Sequence, residues 1–500
     1  MNRLALCAAL AFPVVAYVVV ATLGRPGYDI DYFEYIGWAI SRGSELYRDI
    51  WDCKGPLLYY WYALGQSLLP GVFPAFGSAG VVLSLVLWEM AILMVYRLAR
   101  LDCENGRAGF YSLLFVVLAL GSGTWIWIGC QEILAAFLAL TALWSLVDAD
   151  GGGLDVDADL GRASRWKCAC LGACVAAAFM VKATCAAFGG AVLVLWILQV
   201  AYTRNWRRLL CQLAFSFVGF SAAFVGIAVM CSGWDWERMI DASILYNIMD
   251  RGQDGETWCV FWWTKLLELV RGDVMWYLRF GWNYPFFLVL FALTFALRPA
   301  RGMVFFRTWL VLELVVSVCS KGFFDHYLII SVVPLVLLFA SSPFRSVWSR
   351  NVFRTVVVVF FLVSFGRTTF YYGRYLLFER WDWTAITASI DTVRRGTRVA
   401  VYGGPAIHVL LKEWDLLNRN TYSAWSFWFE SCSERRKAAI LDDFERAVTS
   451  RENEWILSEC PIEGIQSVVA LRSERLRSEL EKYELYNALK NPRVYFYKRK

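Results

Sequence analysis

The chain has 500 residues, of which 58% are hydrophobic, 17% aromatic and 18% charged, with a formal net charge of +6. A soluble domain is about 25% charged and roughly 45–50% apolar, so a mean hydropathy of +0.47 excludes a single water-soluble globule and requires lipid as solvent. The net charge is modest, no nucleic-acid partner is expected, and the informative feature is where the positive residues lie.

The first apolar run, Leu4 to Leu23, reads as a membrane span and not as a signal peptide. More spans follow, and no small-residue cleavage site precedes Arg25-Pro26-Gly27. Further runs lie at Ala79 to Tyr96, Ala108 to Gly121, Thr124 to Val147, Lys167 to Val181 and Thr184 to Tyr202. Then come Leu209 to Cys231, Trp282 to Leu297, Met303 to Ser320, His326 to Ala340 and Val352 to Tyr372. The pattern predicts about eleven transmembrane helices, several of them short against the roughly twenty residues a span needs.

Orientation follows from Lys and Arg. Alternate loops carry Arg97, Arg100 and Arg107; Arg162, Arg165 and Lys167; Arg204, Arg207 and Arg208; Arg298, Arg301 and Arg307; and Arg345, Arg350 and Arg354. This predicts a multi-pass protein of the inner or plasma membrane, with a cytoplasmic N-terminus. Two long loops, 24–78 and 232–281, then lie outside. The segment Asp148 to Arg165 is rich in Gly and Asp and reads as a solvated cytoplasmic linker. Its Asp155, Asp157 and Asp159 lack the downstream Glu of a calcium loop.

After residue 375 the composition changes. Arg398 to Tyr402 reads as a strand running into Gly403-Gly404-Pro405, Ser433 to Thr449 as a helix, and Glu454 to Leu457 and Val494 to Tyr497 as strands. Residues 376–500 are therefore expected to form a small α/β domain outside the membrane, and residues 1–375 the membrane domain. Of the cysteines, Cys168, Cys170 and Cys174 read as packing residues of a membrane helix. Cys53, Cys259, Cys432 and Cys460 fall outside the spans, and their spacing does not say whether any of them pair.

The first outer loop is the segment that carries chemistry. Tyr32 to Ile40 is aromatic and amphipathic, and Pro56 to Leu69 is apolar with proline at a helix start. Both suit helices lying in the interface, and carboxylates and one lysine sit between them. From spacing alone Asp29 reads equally as a helix N-cap before Tyr32 and as a functional carboxylate. Lys54 likewise reads either as a lysine reaching for headgroups or as a ligand of phosphate.

The pattern Gly27-x-Asp29-x-x-x-Phe33-x-Tyr35-Ile36-Gly37, followed by Gly43, Tyr47, Asp49 and Trp51-Asp52-x-Lys54-Gly55-Pro56-Leu57, resembles the first loop of bacterial GT-C glycosyltransferases. These are relatives of the protein O-mannosyltransferases and the lipid A aminoarabinose transferase. The resemblance implies an α-helical polytopic membrane protein of GT-C type with a small α/β C-terminal extracytoplasmic domain. It implies transfer of a sugar from a polyprenyl-phosphate donor to a hydroxyl on a glycolipid, glycan or protein acceptor. It makes Asp29 the catalytic base, with Asp31 open to sharing the role because relatives often carry Asp-Glu here. It makes Lys54 a ligand of the donor phosphate, with Asp52 and Tyr35 in support.

Weaker matches are Glu132 in Gly129-Cys130-Gln131-Glu132, Lys182 after Phe179-Met180-Val181, and His326 before Tyr327 with Pro334 beyond. Each reads either as a residue of the donor pocket or as a polar group at a helix boundary. The resemblance also implies a basic residue of the second loop on the phosphate, among Arg251, Lys265, Arg271 and Arg279. Trp258, Trp262 and Trp263 fit either sugar stacking or an interfacial belt. No cofactor is required by this reading. Some GT-C enzymes use a divalent metal, for which Asp29, Asp31 and Glu132 are the candidate ligands. A transporter or flippase of a lipid-linked saccharide is the alternative, and it predicts internal repeats and paired charges inside the membrane. No convincing repeat is visible, and the charges cluster in the outer loops. A scaffold with a partner-binding outer domain would leave the first-loop pattern unexplained.

Overall fold

The computed structural model describes residues 2–23, 28–69, 79–103, 107–121, 128–147, 155–232, 235–250, 283–300, 302–319, 327–374, 393–422, 432–450, 452–469, 474–490 and 493–500. They fall into two compact units. One comprises Met1–Leu23, Val81–Met230 and Lys265–Tyr371, the other Gly24–Gly80, Cys231–Thr264 and Tyr372–Lys500.

The first unit is built mainly of apolar helices: α1 (Asn2–Leu23), α4 (Ala79–Asp102), α5 (Ala108–Gly121), α6 (Gln131–Leu146), the short polar α7 (Val156–Arg162), α8 (Arg165–Val181), α9 (Ala187–Thr203), α10 (Trp206–Ser232), α12 (Asn283–Thr294), α13 (Met303–Cys319), α14 (Leu328–Ser341) and α15 (Val347–Arg374). Helix α14 is its centre. Every side chain from Leu328 to Ala340 is buried, and the helix packs on α5, α6, α12 and α13, as a helix apolar all round must. Gly172 of α8 and Gly219 of α10 let these two helices touch backbone to backbone, because a methyl on either would collide with a carbonyl of the other helix.

A helix forms in each of the apolar runs expected to span, and the chain is a multi-pass membrane protein. Among the described residues five helices are long and apolar enough to cross a bilayer, or six if the α7–α8 pair, bent by 113°, counts as one span. This is fewer than the eleven expected. The difference lies in short helices such as α5, α6 and α14 with 14, 16 and 14 residues, which at 1.5 Å per residue fall short of the roughly 30 Å hydrocarbon thickness.

The segment expected to be a solvated linker is partly a docked helix. Asp155 caps α7 by accepting from Ala158 N at 3.1 Å, and Val156, Asp159 and Leu160 are buried. The Leu160 carbonyl accepts from Trp196 Nε1 at 3.2 Å and from Gln212 Nε2 at 2.8 Å. The Asp157 carboxylate accepts from the backbone N–H of Val304 and Phe305, at 3.4 and 3.0 Å, at the start of α13, where the helix dipole favours an anion. Asp155 and Asp157 thus serve as caps, one of α7 and the other at the start of α13.

The second unit holds α2 (Tyr28–Ser41), α3 (Pro56–Leu68), α11 (Trp236–Ile240) with the π-helical stretch Asp241–Asp250, and an α/β fold. That fold runs β1 (Arg398–Tyr402), α16 (Pro405–Glu413), β2 (Leu417–Asn418), α17 (Glu434–Thr449), β3 (Trp455–Ser458), α18 (Ile462–Val469), α19 (Glu474–Leu480), β4 (Tyr483–Lys490) and β5 (Arg493–Arg499). The strand order is β2-β1-β3-β5-β4. Strand β1 is parallel to β2 and β3, with Val401 opposite Leu457, and β5 is antiparallel to β3 and β4. Strand β2 pairs over only two residues. Beyond it the Asn420 side chain takes over the ladder, accepting from Val401 N at 2.8 Å and donating to Val401 O at 2.9 Å.

Candidate active site

Helix α2 begins at Tyr28, four residues earlier than its aromatic pattern suggests. Asp29 and Asp31 therefore both sit in its first turn, where the exposed N–H groups favour carboxylates. At 3.6 residues per turn the two project roughly 200° apart around the helix, so they serve different sides. Asp31 lies one turn before Glu34, and Glu34 Oε1 is 3.4 Å from the Lys412 ammonium of α16 and accepts from the Gln66 amide of α3. Burial pushes the Asp31 carboxyl up to about 8, Lys412 opposes the rise and Glu34 adds to it. Its Oδ2 is buried with no hydrogen-bond partner among the described residues. Asp29, on the other side, is half-buried.

Gly37 brings α2 against the backbone of α3, where a Cβ would strike Tyr62. Proline at the first position of α3 follows Gly55 in extended conformation, which starts the helix without an orphaned N–H. Between α2 and α3 lies the lysine site. Asp52 is fully buried. Its carboxylate accepts from Cys53 N at 2.7 Å, from the Tyr59 hydroxyl, and from Lys54 Nζ at 3.5 Å. Lys54 is 8% exposed, its ammonium stands 5.0 Å from the centroid of the Phe33 ring, and its carbonyl accepts from the Tyr47 hydroxyl at 2.7 Å. Burial first, and then the charge of Asp52, push the Tyr59 and Tyr47 phenols well above their ordinary range. Both stay protonated donors. Asp52 thus both pairs with Lys54 and orients it. Tyr47 holds a left-handed backbone, φ 65°, which costs energy for a non-glycine residue and is held by the Tyr47 N to Ile50 O bond of 2.7 Å.

The α/β fold grips this loop. The Tyr35 hydroxyl donates to Asn418 Oδ1 at 2.6 Å and accepts from Asn418 N at 2.8 Å. The rings of Tyr32 and Tyr35 flank His408 at 4.6 and 5.0 Å. Burial pushes His408 down to about 3, so it is a neutral packing ring tied to the Gly404 carbonyl at 2.9 Å. Trp51 N donates to Thr421 O at 2.9 Å, and Thr421 Oγ1 donates to Arg48 O at 2.9 Å. Sequence reasoning missed His408, Lys412, Asn418 and Arg436. The only local signal was the Gly-Gly-Pro turn that starts α16.

Glu132 and Lys182 belong to the other unit. Glu132 opens α6 and is 1% exposed, and Lys182 caps α8. Their charges meet at 3.1 Å, Gln131 Nε2 donates to Glu132 Oε1 at 2.9 Å, and the ammonium lies 3.5 Å from the centroid of the Tyr327 ring. A small cavity is lined by Glu132, Thr184, Cys185, Glu313, Val316, Tyr327 and Ile330. His326 lies outside the described residues, as do Arg251, Lys265, Arg271, Arg279, Trp258, Trp262, Trp263 and Cys259. Cys53, Cys432 and Cys460 are free thiols, as are Cys168, Cys170 and Cys174. Among the described residues no group of three or more His, Cys, Asp or Glu is arranged to hold a metal ion, so no step is assigned to one.

No family model and no curated protein sequence matches the chain. Solved structures do. ArnT from Cupriavidus metallidurans bound to undecaprenyl phosphate superposes with a TM-score of 0.58 at 14% identity, covering 98% of this chain and 97% of that one. The same protein in its apo state gives 0.55 at 14% identity, covering 98% and 96%. At such identity the likeness is one of fold, and it extends over nearly the whole chain: this protein shares the fold of ArnT.

Proposed function

We propose that the protein is an integral membrane glycosyltransferase that moves a sugar from a polyprenyl phosphate to an acceptor hydroxyl on the extracytoplasmic face. The observation that carries this reading is the first loop, where a carboxylate in the first turn of α2 and a buried, carboxylate-oriented ammonium in the bend before α3 belong to one unit. The fold is shared with an ArnT structure that holds undecaprenyl phosphate. In the proposed reaction Asp29 takes the proton of the acceptor hydroxyl as its oxygen bonds to the anomeric carbon. The bond from that carbon to the phosphate oxygen breaks on the opposite face, so the configuration inverts. Lys54 stabilises the negative charge that returns to the phosphate. Glu34 balances Lys412, and Tyr35 and Asp52 hold the loop in shape.

Glu132, Lys182 and His326 are assigned by resemblance to the donor pocket. The Arg and Lys pattern supports a cytoplasmic N-terminus, with residues 376–500 outside. The buried Glu132–Lys182 pair is a feature that a flippase of lipid-linked saccharide would also use. Binding of radiolabelled undecaprenyl phosphate to the purified protein tests the proposal. Saturable binding weakened by Lys54→Ala is the expected result. No binding of any polyprenyl phosphate would count against the transferase reading.

A further inference from the structure

One side chain of the α/β fold touches both outer-loop segments of its unit. The Arg436 guanidinium of α17 makes a two-pronged ion pair with Asp241 of the second loop, Nη1 to Oδ2 and Nη2 to Oδ1 both at 2.8 Å. It donates to the Tyr422 hydroxyl at 3.2 Å. It also lies 5.6 Å from the centroid of the Trp51 ring in the first loop and 5.9 Å from that of Tyr246 in the second.

Trp51 is enclosed as a result. Its ring packs edge-on to Tyr246 at 4.9 Å and tilted on Tyr422 at 5.2 Å. Its backbone is fixed at both polar atoms, the N–H by Thr421 O at 2.9 Å and the carbonyl by the Tyr32 hydroxyl at 2.8 Å. The next residue is Asp52, whose carboxylate holds Lys54. The backbone entering the lysine site is thus set by the Trp51 ring and its enclosure, while Tyr59 of α3 sets the other side.

We propose that Arg436 is a positioning residue for Lys54: by clamping the Trp51 ring against Asp241, Tyr246 and Tyr422 it fixes where the Lys54 ammonium meets a phosphate. This rests on the reading that Lys54 receives the phosphate of the lipid donor. The role needs arginine, because only a planar guanidinium can grip a carboxylate with two bonds while lying over aromatic rings. A lysine at the same place keeps the charge and loses the fork. Asp241 keeps 41% of its side chain exposed while Arg436 keeps 7%, so the carboxylate tolerates loss of its partner better than the arginine would.

The test measures binding of radiolabelled undecaprenyl phosphate to the full chain in detergent for wild type, Arg436→Lys, Lys54→Ala and the double variant, with melting midpoints alongside. Arg436→Lys should weaken binding about tenfold, and the double variant should bind no worse than Lys54→Ala alone, because Arg436 acts through Lys54. Losses that multiply, or unchanged affinity in a folded Arg436→Lys protein, would overturn the proposal. Should Arg436→Lys fail to fold, Asp241→Asn removes one side of the ion pair from its exposed partner and should weaken binding in the same non-additive way; full affinity there overturns it equally. A wild type that binds no polyprenyl phosphate removes the parent reading, and the positioning role falls with it. Binding by the wild type that is indifferent to Arg436 and Asp241 removes the positioning role alone.

Discussion

Tyr35 and Asn418 exchange two hydrogen bonds across 383 residues of sequence, hydroxyl to Oδ1 at 2.6 Å and backbone N–H to hydroxyl at 2.8 Å, and both are buried. The Asn418 amide also donates to Asp49 O at 2.9 Å and to Asn420 O at 2.7 Å. One asparagine thus joins the edge of the sheet to two points of the first loop. A buried donor or acceptor left unpaired costs about 1–3 kcal/mol. Tyr35→Phe is therefore expected to lower the melting midpoint with little change in secondary structure, and Asn418→Ala, which strips several bonds at once, to lower it further. Equal midpoints for wild type and both variants would show that this junction is not holding the loop.

Removing one member of a buried ion pair is more damaging than removing both, because it strands a charge at a cost of about 3–5 kcal/mol. Asp52 and Lys54 are such a pair, with side chains 0% and 9% exposed. Lys54→Met should destabilise the protein strongly, and Asp52→Asn combined with Lys54→Met should recover most of the loss. Denaturation midpoints of the two variants decide it; a double variant worse than the single one would contradict the pairing.

The same logic applies within the membrane unit to Glu132 and Lys182, 3.1 Å apart and 1% and 11% exposed. Lys182→Met removes the ammonium from both Glu132 and the Tyr327 ring. The expected outcome is a lower midpoint that Glu132→Gln partly restores in the double variant. No restoration would mean that the lysine acts through the ring alone.

Asp31 makes stability depend on pH in a defined direction. Its folded carboxyl is raised from 3.8 to about 8, so the folded protein holds a proton that the unfolded chain releases. The contribution is fully present below about pH 3.8 and is lost as pH rises through about 8. Asp31→Asn should abolish this part of the slope, leaving the variant relatively more stable than wild type at pH 9 than at pH 5. Parallel midpoint curves for the two proteins would contradict the burial of this carboxyl.

Much of the helical scaffold was legible because long apolar runs leave few other solutions in lipid. Helix ends were less so. Tyr28 to Asp31 follows Pro26 and Gly27, which read as breakers, so Asp29 resembled a cap instead of a first-turn residue. The Asp-rich stretch before α8 misled because capping carboxylates and solvated ones look alike in composition, and only the burial of Val156 and Leu160 distinguishes them. Strand β2 has two residues and completes its ladder with the Asn420 side chain, which no periodicity reveals. Asp29, Lys54 and Asp52 stood out as charges in an aromatic loop. Lys412, His408 and Arg436 did not, since each meets the loops only through chain-distant packing.

The most direct test of the account is sugar transfer. Purified wild type, Asp29→Asn and Asp31→Asn are incubated with radiolabelled polyprenyl-phosphate sugars and a membrane extract as acceptor. The account predicts that Asp29→Asn lowers transfer by roughly 10²–10⁴ while still binding donor, and that Asp31→Asn retains most of it. Transfer at the wild-type rate by a folded Asp29→Asn protein would contradict the assignment of the base, and loss in Asp31→Asn instead would move that role to the other side of α2.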